Sequence, residues 1–119
     1  MYISRSKRLP TRFPIEIKTI GASEIHIYRG LTSDISTTGL LVTFDLDTPF
    51  RTSETIVEVM CKPADVEIKF LCKIARDLSS SLSRWWEKGF YIVQINEIDL
   101  TNWNQIIVDI ENKEEQKAS

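Results

Sequence analysis

The stretch from Thr55 to Ile74 leaves this chain little freedom of fold. Val57, Val59 and Cys61 recur at every second position, and so do Val66, Ile68, Phe70, Cys72 and Ile74. Glu58, Lys62, Glu67, Lys69 and Lys73 fill positions between them. A strand turns successive side chains to opposite faces, so this alternation predicts two strands that each bury one face. "KPAD" (Lys62 to Asp65) turns the chain between them. A turn centred on Pro63 and Ala64 sets Cys61 near Val66 and Cys72 near Thr55. The thiols then share the apolar face without standing opposite each other, and they read as buried free cysteines rather than a disulfide.

Other short strands flank this hairpin. "IEIK" (Ile15 to Lys18) alternates apolar and polar. "EIHIY" (Glu24 to Tyr28) alternates too, with Ile25 and Ile27 on one face and His26 toward solvent. "GASE" joins these two as a hairpin connection, with Gly21 free to take positive φ. "GLLVTF" (Gly39 to Phe44) is a further strand, followed by the polar loop "DLDTPFRTSE", and "GFYIVQI" (Gly89 to Ile95) is the last. Then the period changes. Trp103, Ile106, Ile107 and Ile110 stand at i, i+3, i+4 and i+7, the stripe of an amphipathic helix over about 100–115, with Thr101 or Asp99 as its cap. Roughly five to seven short strands and one terminal helix predict an all-β fold, a small antiparallel barrel plugged or flanked by the helix.

The 119 residues fit one domain, and a chain of this size can bury a core without disulfides or metals. No apolar run is long enough for a membrane span, and "MYISRSKRLP" lacks the apolar centre of a signal peptide. A cytoplasmic location with reduced cysteines is therefore expected. The net charge is −2, yet residues 1–12 hold Arg5, Lys7, Arg8 and Arg12 and no acid, so the remainder carries −6. A general binder of DNA or RNA shows a wide basic face, which this distribution does not offer. A short basic arm on an acidic body suits either a solvated tail or a small anion bound near the arm. The arm has few apolar groups (Met1, Tyr2, Ile3 and Leu9), so without a ligand it is expected to be mobile.

Catalytic chemistry lacks its parts. There is a single histidine, so zinc sites and Ser-His-Asp triads are incomplete, and no phosphate-cradling GxxxxGK loop is present. The carboxylates are scattered without a spacing that marks an acid/base pair. The chain reads as a non-enzyme with no metal and no resident cofactor. Trp85 and Trp86 read as a barrel-closing aromatic and a partly covered neighbour, or as an exposed indole for a base or a partner.

The informative chemistry lies at "SDISTTGLLV" (Ser33 to Val42), taken together with "KRLPTR" (Lys7 to Arg12). Gly39 frees the backbone at the start of a strand, and Asp34 and Ser36 can cap local amides. Turn chemistry does not account for Arg8 and Arg12, four apart around Pro10. The combination suits a guanine nucleotide with phosphates. An ionised carboxylate accepts from guanine N1–H and N2–H, a hydroxyl adds a polar contact, and guanidinium forks match O6 and N7 or a phosphate.

Arg8 to Arg12 matches the RxxxR motif, and Asp34 to Gly39 the [D/N]xSxxG motif, of PilZ domains. In these motifs, in their order and in the β-rich pattern around them, the chain resembles that family over essentially its whole length. The resemblance implies a six-stranded split barrel with a C-terminal α-helix, with residues 1–13 as a basic arm and 14–119 as barrel plus helix. It implies a receptor for cyclic di-GMP, with Arg8 and Arg12 as arm ligands, Asp34, Ser36 and Gly39 as turn ligands, and Lys7 beside them. A basic residue at the place of Lys7 tends in the family to accompany a stacked pair of ligand molecules. Binding is expected to order the arm. The chain shows no attached output domain, so the signal is expected to pass to a separate protein partner. The alternative is a PilZ-like protein-interaction module that does not bind nucleotide.

Overall fold

The structure, a computed structural model, describes residues 8–21, 24–45, 55–75 and 87–118, with side chains described up to residue 113. Seven strands and one helix follow in order: β1 (Leu9–Pro10), β2 (Pro14–Thr19), β3 (Ile27–Ile35), β4 (Gly39–Thr43), β5 (Ile56–Cys61), β6 (Ile68–Ile74), β7 (Glu87–Gln94) and α1 (Glu97–Ala118). All pairings are antiparallel. Strands β3, β2, β5, β6, β7 and β4 neighbour one another in that order, and β4 pairs back onto β3, which closes a six-stranded barrel. The two-residue β1 is the extra strand and lies against β3.

The alternation that predicted the β5–β6 hairpin fills the barrel. Val57, Val59, Cys61, Ile68, Phe70 and Cys72 are buried, while Glu67, Lys69 and Lys73 stay outside or at the surface. The register differs from the expectation by two residues: Cys61 pairs with Ile68 and Cys72 with Val57. The turn is longer than a two-residue one, because Pro63–Asp65 form a single 3-10 turn with Ala64 at φ 54° and Asp65 at φ 64°. An even shift keeps the paired side chains on their faces, so the core survives the correction, but Val66, expected on the buried face, falls in the connection before β6 and is 38% exposed. Both cysteines are free and buried.

Strand β3 departs most from the sequence pattern. It begins at Ile27 rather than Glu24, and Ile25 and Ile27 are 63% and 56% exposed. It then runs through Gly30 to Ile35, a segment poor in β-formers. Gly30 belongs there because a Cβ would lie 2.7 Å from Val42 Cγ1 and 2.9 Å from the Thr43 carbonyl oxygen. No described glycine has positive φ, so Gly21 does not use the freedom expected of it. His26 is exposed as expected, and its N–H donates to Thr19 Oγ1 at 2.9 Å.

Helix α1 is longer than the periodic stripe and starts earlier. Its cap is Asn96, whose Oδ1 accepts the Asp99 N–H at 2.8 Å, not Thr101 or Asp99. The stripe itself holds: Trp103 and Ile107 are buried, and Ile106 and Ile110 pack against the core. The helix lies against β6 and β1 and so covers the end of the barrel where β3 finishes. Among the described residues, no helix is long and apolar enough to cross a membrane. Lys7, Trp85, Trp86 and most of the polar loop after Phe44 lie outside the described residues.

Candidate functional site

Two irregularities in β3 and its neighbour build the site. On the β4 side, Thr32 pairs with Val42 and Asp34 with Leu41, so Ser33 is an extra residue in the ladder. Thr32 and Ile35 are both buried, three positions apart, where strict alternation would have buried Asp34 instead. The bulge therefore turns Asp34 out of the barrel. Ser33 Oγ lies 2.6 Å from Thr43 Oγ1, which ties the bulge to β4.

The arm runs in line with β2 along the same edge of β3. Leu9 pairs with Ile35 and Pro10 with Asp34, and Pro14 pairs with Leu31. Between them the Thr11 N–H donates to the Ser33 carbonyl at 3.2 Å, and the Thr32 N–H donates to the Phe13 carbonyl at 3.1 Å. Leu9 is fully buried. Leu9 and Pro10 are thus pinned more than the composition of the arm suggests, by one leucine in the core and a short ladder.

This path brings the two sequence motifs together. Arg8 Nη1 donates to Asp34 Oδ1 at 2.6 Å, with side chains 54% and 21% exposed. Arg12 projects into solvent and forms no ion pair with another described residue. Ser36 opens the two-residue turn into β4, where its N–H donates to the Gly39 carbonyl at 2.8 Å. Its hydroxyl is buried and turned back on the turn, accepting the Thr38 N–H at 3.3 Å. Gly39 is needed for approach rather than for φ, since a Cβ there would sit 2.2 Å from the Phe90 carbonyl oxygen. Arg8, Asp34 and the Ser36–Gly39 turn thus share one end of the barrel.

The other side of that turn is held by the helix. Trp103 Nε1 donates to the Ser36 carbonyl at 2.9 Å, and its ring packs against Phe70 at 5.2 Å and edge-on to Phe13 at 6.4 Å. Leu9, Thr32 and Trp103 are thus supports of the site that motif reading passed over. A tryptophan at the start of the helix stripe was the available signal, because a buried indole N–H needs an acceptor.

Among the described residues, the charged groups of the arrangement reach solvent: Arg8 is 54% and Asp34 21% exposed, and Arg12 is exposed too. Two surface depressions, of about 270 and 190 Å³, are lined by other residues, around Glu16, Arg29 and Met60 and around Glu58, Lys69 and Gln94. An exposed shelf bearing guanidinium and carboxylate groups suits a flat ligand with anionic groups. The exposed Arg8–Asp34 pair is worth only about 0–1 kcal/mol, so a ligand offering both partners better contacts can open it.

Comparison with known proteins places this arrangement. No curated protein matches the chain in sequence. Among solved structures it is similar to the PilZ domain of CeSA from a cellulose-synthesizing bacterium, with a TM-score of 0.65 and 20% identity over 89% of this chain and 99% of that one. It is also similar to the inhibitor of motility MotI/DgrA of Bacillus subtilis, with a TM-score of 0.67 and 15% identity over 95% of this chain. The chain spans about half of that protein, 53% of its length. Both likenesses are of fold. In sequence, the PilZ domain family matches residues 3–111, nearly the full chain and both motifs, and the chain belongs to that family.

Proposed function

We propose that this PilZ domain is a cyclic di-GMP receptor that binds through Arg8, Arg12, Asp34, Ser36 and Gly39, with Lys7 as a flanking contact. PilZ domains as a family are cyclic di-GMP-binding effector modules. The observation that carries the reading is the 2.6 Å contact of Arg8 with Asp34, which unites two motifs twenty-six residues apart on one exposed shelf. In the bound state the Asp34 carboxylate takes the guanine N1–H and N2–H edge. Arg8 and Arg12 turn to phosphates and to the O6/N7 edge, in charge-assisted bonds. Ser36 and Gly39 act through the turn they shape. The arm is ordered further as Arg8 leaves Asp34, and the output is contact with a separate protein partner in the cytoplasm.

Calorimetric titration with cyclic di-GMP, cyclic di-AMP and GTP tests this and gives stoichiometry, one or two ligand molecules per chain. Adenine replaces the O6 acceptor by a donor and lacks the N2 amine, and each lost bidentate pair costs about 1–3 kcal/mol by analogy with base readout in DNA. Cyclic di-GMP should bind far more tightly than cyclic di-AMP, and equal affinities would sink the guanine assignment. One observation favours a second reading, a protein-interaction module without nucleotide: the fold is shared with the inhibitor of motility MotI/DgrA. Absence of binding heat with cyclic di-GMP selects it.

A further inference from the structure

The two arginines of the arm are held by different means. Arg8 is held through its side chain, by Asp34. Arg12 has no such partner among the described residues, yet the peptides on either side of it are held. The buried Thr32 hydroxyl donates to the Thr11 carbonyl at 2.7 Å and accepts the Phe13 N–H at 3.0 Å. Those two groups belong to the two peptide units on either side of Arg12. One hydroxyl thus fixes both peptides that flank the arginine.

The register explains why such a clasp is needed there. From Pro10, opposite Asp34, to Pro14, opposite Leu31, the arm takes one more step than β3 takes beside it. The surplus falls at Thr11–Arg12, where the ladder cannot pair every residue. A bulged residue is aimed away from the sheet, and its direction is set by whatever satisfies the flanking peptides. Thr32 does this from inside the barrel, 1% exposed, with no other described side chain bonding those two peptide groups.

We propose that Thr32 is a positioning residue for Arg12: its hydroxyl aims the second arginine of the arm at the ligand shelf without touching the ligand. The inference deepens the binding reading above and rests on it. It predicts that the hydroxyl, rather than the volume of the side chain, matters at this position.

The molecule contains its own comparator. Thr19 is 2% exposed, and its hydroxyl accepts the His26 N–H at 2.9 Å at the opposite end of β2, away from the shelf. The experiment compares Thr32→Val, Thr32→Ser and Thr19→Val by titration with cyclic di-GMP and by the rate of trypsin cleavage after Arg12, with thermal melts to confirm folding. Losing two hydrogen bonds that hold Arg12 in place should weaken binding about tenfold and speed cleavage after Arg12 in Thr32→Val. Thr32→Ser keeps the hydroxyl and should restore both. Thr19→Val should lower the melting temperature without changing affinity or cleavage after Arg12. If Thr32→Val binds and is cleaved like the parent chain, or if Thr19→Val weakens binding equally, the positioning role is overturned. If the parent chain itself binds no cyclic di-GMP, the receptor proposal has failed, and the cleavage rates alone then decide whether Thr32 holds Arg12.

Discussion

The indole N–H of Trp103 and the carbonyl of Ser36, 2.9 Å apart and buried, join the second turn of the terminal helix to the first residue of the motif turn. The turn is therefore held from two sides, by its own bond to Gly39 and by the helix. Trp103→Phe keeps most of the ring but leaves the Ser36 carbonyl without this donor. Unfolding by denaturant should show a loss of about 1–3 kcal/mol, with faster hydrogen exchange at the Ser36 amide. An unchanged midpoint and unchanged exchange would mean that the helix does not support the turn.

Arg8→Ala and Asp34→Ala separate binding from stability. The pair is exposed, so each change should move the unfolding free energy by no more than about 1 kcal/mol. Each should nevertheless weaken cyclic di-GMP binding by at least about tenfold, since a charge-assisted bond to the ligand is lost. Calorimetry and a thermal melt on the same samples check both halves.

Gly39→Ala is expected to damage the barrel itself. The added Cβ meets backbone, the Phe90 carbonyl oxygen at 2.2 Å, so β4 and β7 must part where Gly39 pairs with Tyr91. Overpacking of this kind costs about 1–3 kcal/mol or more. A melting temperature equal to that of the parent chain would show that the strands can yield there.

Ala64→Gly should stabilise the chain by about 1 kcal/mol, because an alanine held at φ 54° carries a left-handed cost that glycine does not. A melt that shifts downward would show that the turn depends on the methyl group.

The cysteines give the fold a high-pH limit. Burial, and secondarily Asp99, push the Cys61 thiol up to about 12 from its ordinary 9.0, and burial followed by Cys61 pushes Cys72 higher still. Both groups bind their protons more tightly folded than unfolded, so their contribution is complete below pH 9 and is lost as pH rises through the folded values. Stability should be flat in this respect up to about pH 8 and then fall by up to about 1.4 kcal/mol per pH unit for each thiol. Below that range, thiol reagents should label these two cysteines only as fast as the chain opens.

What the sequence made legible follows from period. Strands β2, β5 and β6 and the helix stripe carry periods strong enough to be read without a structure, β4 and β7 show as short apolar runs, and the two motifs lie where they can meet. The register of the β5–β6 hairpin escaped because Ala64 takes up a conformation that composition does not announce. Strand β3 escaped because Gly30, Ser33 and Asp34 are poor strand formers, and only its neighbours on both sides hold it extended. The surplus positions at Ser33 and at Thr11–Arg12 escaped for another reason: a bulge is a mismatch between two strands, and neither strand's letters contain it. Thr32 reads as an ordinary strand residue until the arm is laid across its hydroxyl.

The arm can also be considered as a mechanical element. β1 has one strand neighbour, β3, whereas β2 is held between β3 and β5. From the amino end the fastenings come in series: the Arg8–Asp34 contact, then the Leu9 pairing, then the clasp at Thr32, and only at Ile15 a strand paired on both edges. Load applied there would meet these fastenings one after another and reach the closed barrel last, so the arm is the part of the sheet that can yield without opening the barrel.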